Sequence, residues 1–202
     1  RLYADTLPNE KPHRLSMVIR EPVGVVLTIS PFNAPLVLLA KMLVFPLAGG
    51  NAVIAKPSEE TPLIAVELAK VMHEAGLPDG VLNVVTGFGP ECGEPLAKHP
   101  DVNGIALTGS TGTGIKIGQI AAQTMKRVQL ELGGKNPLLV LHDFDVTKAA
   151  EIAAVGAFTH GGQICMSSAR ILVDAPNGRA FAEALAKKAA SLQLGDLRDE
   201  KT

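Results

Sequence analysis

The chain has 202 residues, 47% of them apolar, which is enough for a core in one large domain or two small ones and excludes a disordered tail. Its 19 Lys and Arg nearly balance 20 Asp and Glu, and the aromatics amount to 6 Phe and 1 Tyr, so nucleic acid is not expected as a partner. The longest apolar run, residues 34–48, is interrupted by Pro35, Lys41 and Pro46 and is too short to span a bilayer as a helix, so no membrane is expected either.

In chain order, residues 1–20 are polar and turn strand-like at 15–20, reading as an arm with no apolar signal core to argue for secretion. VGVVLTIS (23–30) is a β-branched run that predicts a strand, followed by a helix over 36–47. NAVIAK (51–56) predicts a second strand. The segment 61–76 predicts a helix with Pro62 in its first turn, Gly76 at its end and Pro78 beyond. VLNVVTG, GIALTGS, RVQLELG and NPLLVLH continue the strand series, with KIGQIAAQT helical between the middle two. A helix over 147–159, a loop carrying Cys165, a strand over 170–174 and an amphipathic helix over 178–192 complete the pattern. Short apolar strands alternating with helices predict an α/β fold, an open parallel sheet covered on both faces.

Cys92 and Cys165 lie far apart and form no CxxC pair, and the five His show no ligand spacing with them, which disfavours a zinc site. No metal is expected, the default compartment is a reducing cytoplasm, and both thiols are expected to be free.

Five stretches have residue types that could carry chemistry. TGSTGTG (108–114) follows a strand and opens a helix, so its glycines could admit a phosphate to backbone N–H groups at a helix N-terminus, although it fits neither GxGxxG nor the P-loop and could be a plain tight turn. In NAVIAKPSEE a strand ends at Lys56 with Glu59 in the next turn, a cation and carboxylate suited to ribose hydroxyls or simply a solvated loop. In QLELGGK, Glu131 stands between two leucines of a strand, where a carboxylate is costly unless paired or protonated; its spacing from the glycine turn fits a general base and a ribose ligand equally well. In SPFNAP (30–35), Asn33 lies between two prolines that hold the backbone extended, mounting an amide or capping the next helix. In HGGQICMSSAR (160–170), Gly161 and Gly162 allow close backbone approach and would clear space around Cys165, a nucleophile beside a backbone N–H or a small packed hydrophobe.

In order, PFNAP, KPSE, TGSTGTG, LELGGK and GQIC resemble the signature series of the aldehyde dehydrogenase superfamily, from about residue 20 to the C-terminus, with LPDGVLNVVTG (77–87) also similar. The resemblance implies Cys165 as nucleophile, Glu131 as the base that activates the hydrolytic water, and Asn33 as the amide that shares the oxyanion with the Cys165 N–H. It implies Lys56 and Glu59 at the adenine ribose, and Gly109, Ser110 and Gly114 at the turn beneath the pyrophosphate, with Ser30 and Pro31 also in the cofactor site. The cofactor is then NAD, with NADP the alternative, and Glu59 favours NAD because a carboxylate repels a 2′-phosphate.

FNAPL, GNAVIAKPSE and GQICMS look like the benzaldehyde, vanillin and salicylaldehyde dehydrogenase branch, which implies a small aromatic aldehyde as substrate. Many members carry Lys where Met42 stands, whereas here Lys41 is one position earlier, so no role is carried over to it. The implied organisation is an arm or bridging strand (1–20), a Rossmann-like NAD-binding domain lacking its N-terminal part (21–133), and the first part of a second α/β catalytic domain (134–202). Family members are more than twice as long and homo-oligomeric, so a fragment of a dimer or tetramer is expected, with a cofactor-binding module without turnover as the alternative. A thiol-redox protein is disfavoured, since no resolving cysteine is near Cys165.

Overall fold

A computed structural model describes residues 4–200 and Thr202, so the first three residues of the expected arm lie outside the described residues. The chain divides into two compact units, one ending at Leu132 and the other beginning at Gly133.

In the first unit the arm is a hairpin rather than one strand: β1 (Asp5–Leu7) pairs antiparallel with β2 (Ser16–Val18). Next come β3 (Val25–Ile29), α1 (Pro35–Ala48), β4 (Ala52–Lys56), α2 (Pro62–Glu74), β5 (Leu82–Val84), α3 (Glu94–Lys98), β6 (Val102–Thr108), α4 (Thr111–Ala122) and β7 (Arg127–Glu131). The five strands from β3 onward form one parallel sheet in the order β5-β4-β3-β6-β7. Pro35 and Pro62 sit in the first turns of α1 and α2, where a missing N–H leaves no hydrogen bond unmade. The segment 89–98, which carried no helical expectation, is a wide helical turn (Gly89–Gly93) running into α3; its Gly and Pro content hides the helix from a periodicity reading.

Alternation along the strands sends side chains to two cores. Leu27, Ile105 and Leu107 pack with Ile117, Ile120 and Ala121 of α4 on one face. Val53 and Ala55 pack with Leu39 and Leu43 of α1 and Ala65 of α2 on the other. Complete burial of Leu27, Leu39 and Leu43 stabilises the unit by about 1.5–3 kcal/mol each. Among the described residues β7 pairs only with β6, and all five of its residues are exposed.

In the second unit β8 (Pro137–Val140) and β9 (Arg170–Val173) pair in parallel, with α5 (Val146–Phe158) between them and α6 (Gly178–Ala190) after them. Asp145 caps α5 by accepting from the Lys148 N–H at 2.7 Å. Val140, Ala149, Ala150, Ala153 and Phe181 form the core, while Leu139, Leu141 and Leu172 are exposed. No helix among the described residues is long and apolar enough to cross a membrane.

Candidate active site

Parallel strands bring all their carboxyl ends to one edge of a sheet, and a ligand crevice opens where the strand order reverses. Here the reversal lies between β3 and β6, with β4 and β5 to one side and β7 to the other. That edge carries Ser30, Pro31 and Asn33 after β3, Lys56 at the end of β4, Gly109 and Ser110 after β6, and Glu131 at the end of β7. Two backbone hydrogen bonds tie these positions together: the Ser30 N–H donates to the Lys56 carbonyl at 3.1 Å, and the Gly109 N–H to the Glu131 carbonyl at 3.0 Å.

Lys56 is only 3% exposed, which rules out a solvated loop lysine. A buried ammonium must be paired, and Lys56 Nζ donates to Glu59 Oε2 at 3.1 Å. The Glu59 carboxyl is held below the usual carboxylate range, first by a hydrogen bond from its own backbone and then by the Lys56 ammonium. An ammonium with further donors beside an ionised, half-exposed carboxylate can bind two vicinal hydroxyls, one as acceptor and one as donor. A cleft of about 320 Å³ adjoins the pair, bordered by Ile29, Lys56, Glu94, Thr113, Lys116 and Ile117. Among the described residues Ser30 Oγ is buried without a hydrogen-bond partner at the same edge, an orphaned polar atom of the kind a ligand satisfies. These features fit the adenosine part of a dinucleotide. Beside the cleft, Glu94 binds Lys116 and Lys98, and the Lys116 bond first and the Lys98 bond second hold its carboxyl down to about 2.

α4 begins at Thr111, so the glycine motif lies largely inside the helix. Ser110 is the N-cap, its Oγ accepting from the Thr113 N–H at 3.2 Å. Gly114 has a packing reason to be glycine: a Cβ there would lie 2.5 and 2.7 Å from the Leu132 methyls and 3.1 Å from its Cγ. Gly112 has open space around its Cβ position and borders the cleft. Gly114→Ala is therefore expected to destabilise the fold by about 1–3 kcal/mol through overpacking against Leu132, read as a lower denaturant midpoint at unchanged slope. An unchanged midpoint would mean that Leu132 shifts freely.

Glu131 departs from the expected apolar setting. It is exposed, because β7 is an edge strand among the described residues; Leu130 before it is exposed as well, while Leu132 after it is half-buried against the core. Asn33 does not take the helix cap, since Ala34 is the N-cap of α1 and no side chain caps it. Met42 is buried, with Thr108 Oγ1 donating to its sulfur at 3.7 Å, while Lys41 faces solvent.

Cys165 belongs to the second unit and is an exposed, free thiol; Cys92, in the first, is half-buried and also free. After α5 the chain reverses through Thr159–Gly162 with left-handed backbone at His160 (φ 54), Gly161 (φ 63) and Gly162 (φ 77). The two glycines thus supply a left-handed turn rather than space around the thiol. Space at the cysteine comes from Gly134, where a Cβ would stand 3.1 Å from the Cys165 carbonyl oxygen. Asn136, which the motif reading passed over, donates from Nδ2 to that same oxygen at 2.7 Å. Among the described residues no three His, Cys, Asp or Glu side chains gather into a metal-binding group.

Residues 1–202 match the family model "Aldehyde dehydrogenase family". The chain is 46% identical over 183 residues to the chloroplastic betaine aldehyde dehydrogenase of Amaranthus hypochondriacus, covering 91% of this chain and 36% of that protein. It is 44% identical over 202 residues to vanillin dehydrogenase of a Pseudomonas species, covering 98% of this chain and 42% of that protein. The crystal structure of the NAD-dependent aldehyde dehydrogenase from Sinorhizobium meliloti superposes with a TM-score of 0.95 at 43% identity, over 100% of this chain and 40% of that one. The chain thus spans about two fifths of the length of the proteins it matches.

Proposed function

The chain belongs to the aldehyde dehydrogenase family, and from that premise we propose that the protein carrying it oxidises an aldehyde to the carboxylic acid with NAD, using Cys165 as nucleophile and Glu131 as general base. The observation that carries this reading is the carboxyl edge of the sheet, which collects Asn33, the Lys56–Glu59 pair, Ser110 and Glu131 from four different strands.

The Cys165 thiolate adds to the aldehyde carbon, and the Asn33 amide and the Cys165 N–H donate to the oxygen that becomes anionic. NAD supplies, when bound, the acceptor for the hydride that leaves the substrate carbon. Loss of that hydride leaves an acyl group on Cys165 Sγ as a thioester. Glu131 then takes a proton from a water that attacks the thioester carbon, releasing the acid and restoring the thiol. Lys56 and Glu59 hold the adenine ribose, and the exposed Glu59 carboxylate favours NAD over a cofactor with a 2′-phosphate.

For the substrate, the FNAPL and GQICMS motifs and the similarity to a vanillin dehydrogenase support an aromatic aldehyde. The similarity to a betaine aldehyde dehydrogenase favours a second reading, a cationic aldehyde. Assay of the full-length protein with NAD is expected to give a kcat/KM for benzaldehyde or vanillin at least about tenfold above that for betaine aldehyde. The reverse order would move the substrate to the cationic class, and a lack of NADH formation from aldehydes of both classes would sink the enzymatic reading.

A further inference from the structure

The nucleophile of this site has a rigid backbone mount, and the residue that supplies it is Asn136. We propose that Asn136 is a positioning residue for Cys165, its side-chain amide locking the peptide that follows the nucleophile; the proposal rests on Cys165 being the nucleophile.

Two peptide planes flank Cys165, and each is held separately. The preceding one joins Ile164 to Cys165 and carries the N–H assigned to the oxyanion. Its carbonyl accepts from the Ser167 N–H at 3.0 Å, closing a tight turn across the cysteine. Because a peptide unit is planar, holding that carbonyl also sets the direction of the Cys165 N–H on its opposite side. The following plane joins Cys165 to Met166. Its carbonyl oxygen accepts from Asn136 Nδ2 at 2.7 Å, and the same nitrogen lies 3.4 Å from the Ser167 carbonyl oxygen. With both planes fixed, φ and ψ of Cys165 are fixed, and so is the direction of its Cα–Cβ bond.

Asn136 is itself held. Its carbonyl accepts from the Arg170 N–H at 3.2 Å at the start of the β8–β9 pairing, and Pro137 follows it and limits its backbone to extended conformations. One residue earlier, Arg170 Nε donates to the Lys135 carbonyl at 3.0 Å. The missing Cβ at Gly134 lets the Cys165 carbonyl approach closely enough for Asn136 to reach it. The stretch GGKN therefore acts as a clamp on the cysteine loop, with Gly134 providing clearance and Asn136 the hydrogen bond.

Asn136→Asp keeps the shape but replaces a donating amide with a carboxylate facing two carbonyl oxygens, whereas Asn136→Ser retains a shorter donor. In the full-length protein, Asn136→Asp is expected to lower kcat for aldehyde oxidation about 30- to 100-fold, in the range for misplaced catalytic groups. KM for NAD should stay within about twofold, because the ribose pair belongs to the other unit, and iodoacetamide should still alkylate Cys165. Asn136→Ser should recover at least about a third of the lost activity on a logarithmic scale. A kcat for Asn136→Asp within threefold of the parent, about the scatter between comparable mutants, overturns the proposal. So does a loss shared in full by Asn136→Ser, or one matched by loss of NAD affinity and of folded protein. Failure of the underlying reading looks different: Cys165→Ser would then remain active in the parent background.

Discussion

Cys165→Ser is expected to reduce aldehyde turnover by about four orders of magnitude or more while leaving the fold and NAD affinity unchanged. The substitution exchanges sulfur for oxygen at an exposed side chain that belongs to none of the three hydrophobic cores, so stability has little reason to move. Chemistry has every reason to. A thiol ionises close enough to neutrality to supply a thiolate, whereas a serine hydroxyl must be deprotonated by an adjacent base during attack. In the proposed mechanism Glu131 acts only on water, in the later half of the reaction. The variant should therefore bind NAD normally and release almost no NADH, and it should be measured by NAD titration alongside steady-state turnover. Retained turnover would remove Cys165 from the mechanism.

Glu131→Gln separates the two halves of the reaction. In the proposed mechanism acyl transfer to Cys165 does not need this carboxylate but release of the acid does, and loss of a general base slows the dependent step by about 10²- to 10⁴-fold. The expected trace is a burst of NADH close to one per active site, followed by a steady state slower by that factor. β7 is an exposed edge strand, so the change is not expected to unfold the protein. A ribose ligand at this position predicts the opposite pattern, a raised KM for NAD with no burst. The family resemblance favours the base, with the Lys56–Glu59 pair, at the end of β4 and in the turn after it, as the proposed ribose ligand.

Much of the fold was legible because its signals are local. The runs VVLTI and AVIAK are β-branched and apolar, and Pro35 and Pro62 mark helix starts, so the alternation of strands and helices follows from short windows of sequence. The segment 89–98 escaped because its glycines and prolines mask a wide turn and a short helix. β1 escaped because three exposed residues carry no apolar pattern. The setting of Glu131 was misjudged for a different reason: an apolar run reads alike in a central strand and in an edge strand, and only the strand order tells them apart.

The site divides in the same way. Cys165, Asn33, Lys56 and Glu131 stand in short motifs, from which they can be read as candidates. Asn136 and the Glu94–Lys116 pair were not, because their partners lie 29 and 22 residues away and only folding brings them into contact. The glycines before Cys165 were found but given the wrong reason. Clearance at the cysteine comes from Gly134, and Gly161 and Gly162 serve a left-handed turn that includes His160.

The central claim is a covalent one, so the most direct measurement is mass spectrometry of the Cys165 peptide from the Glu131→Gln protein, quenched after the NADH burst with benzaldehyde. The account predicts a benzoyl group on Cys165, formed in step with NADH and lost slowly. A burst of NADH with Cys165 unmodified, or with the acyl group on another residue, would contradict it.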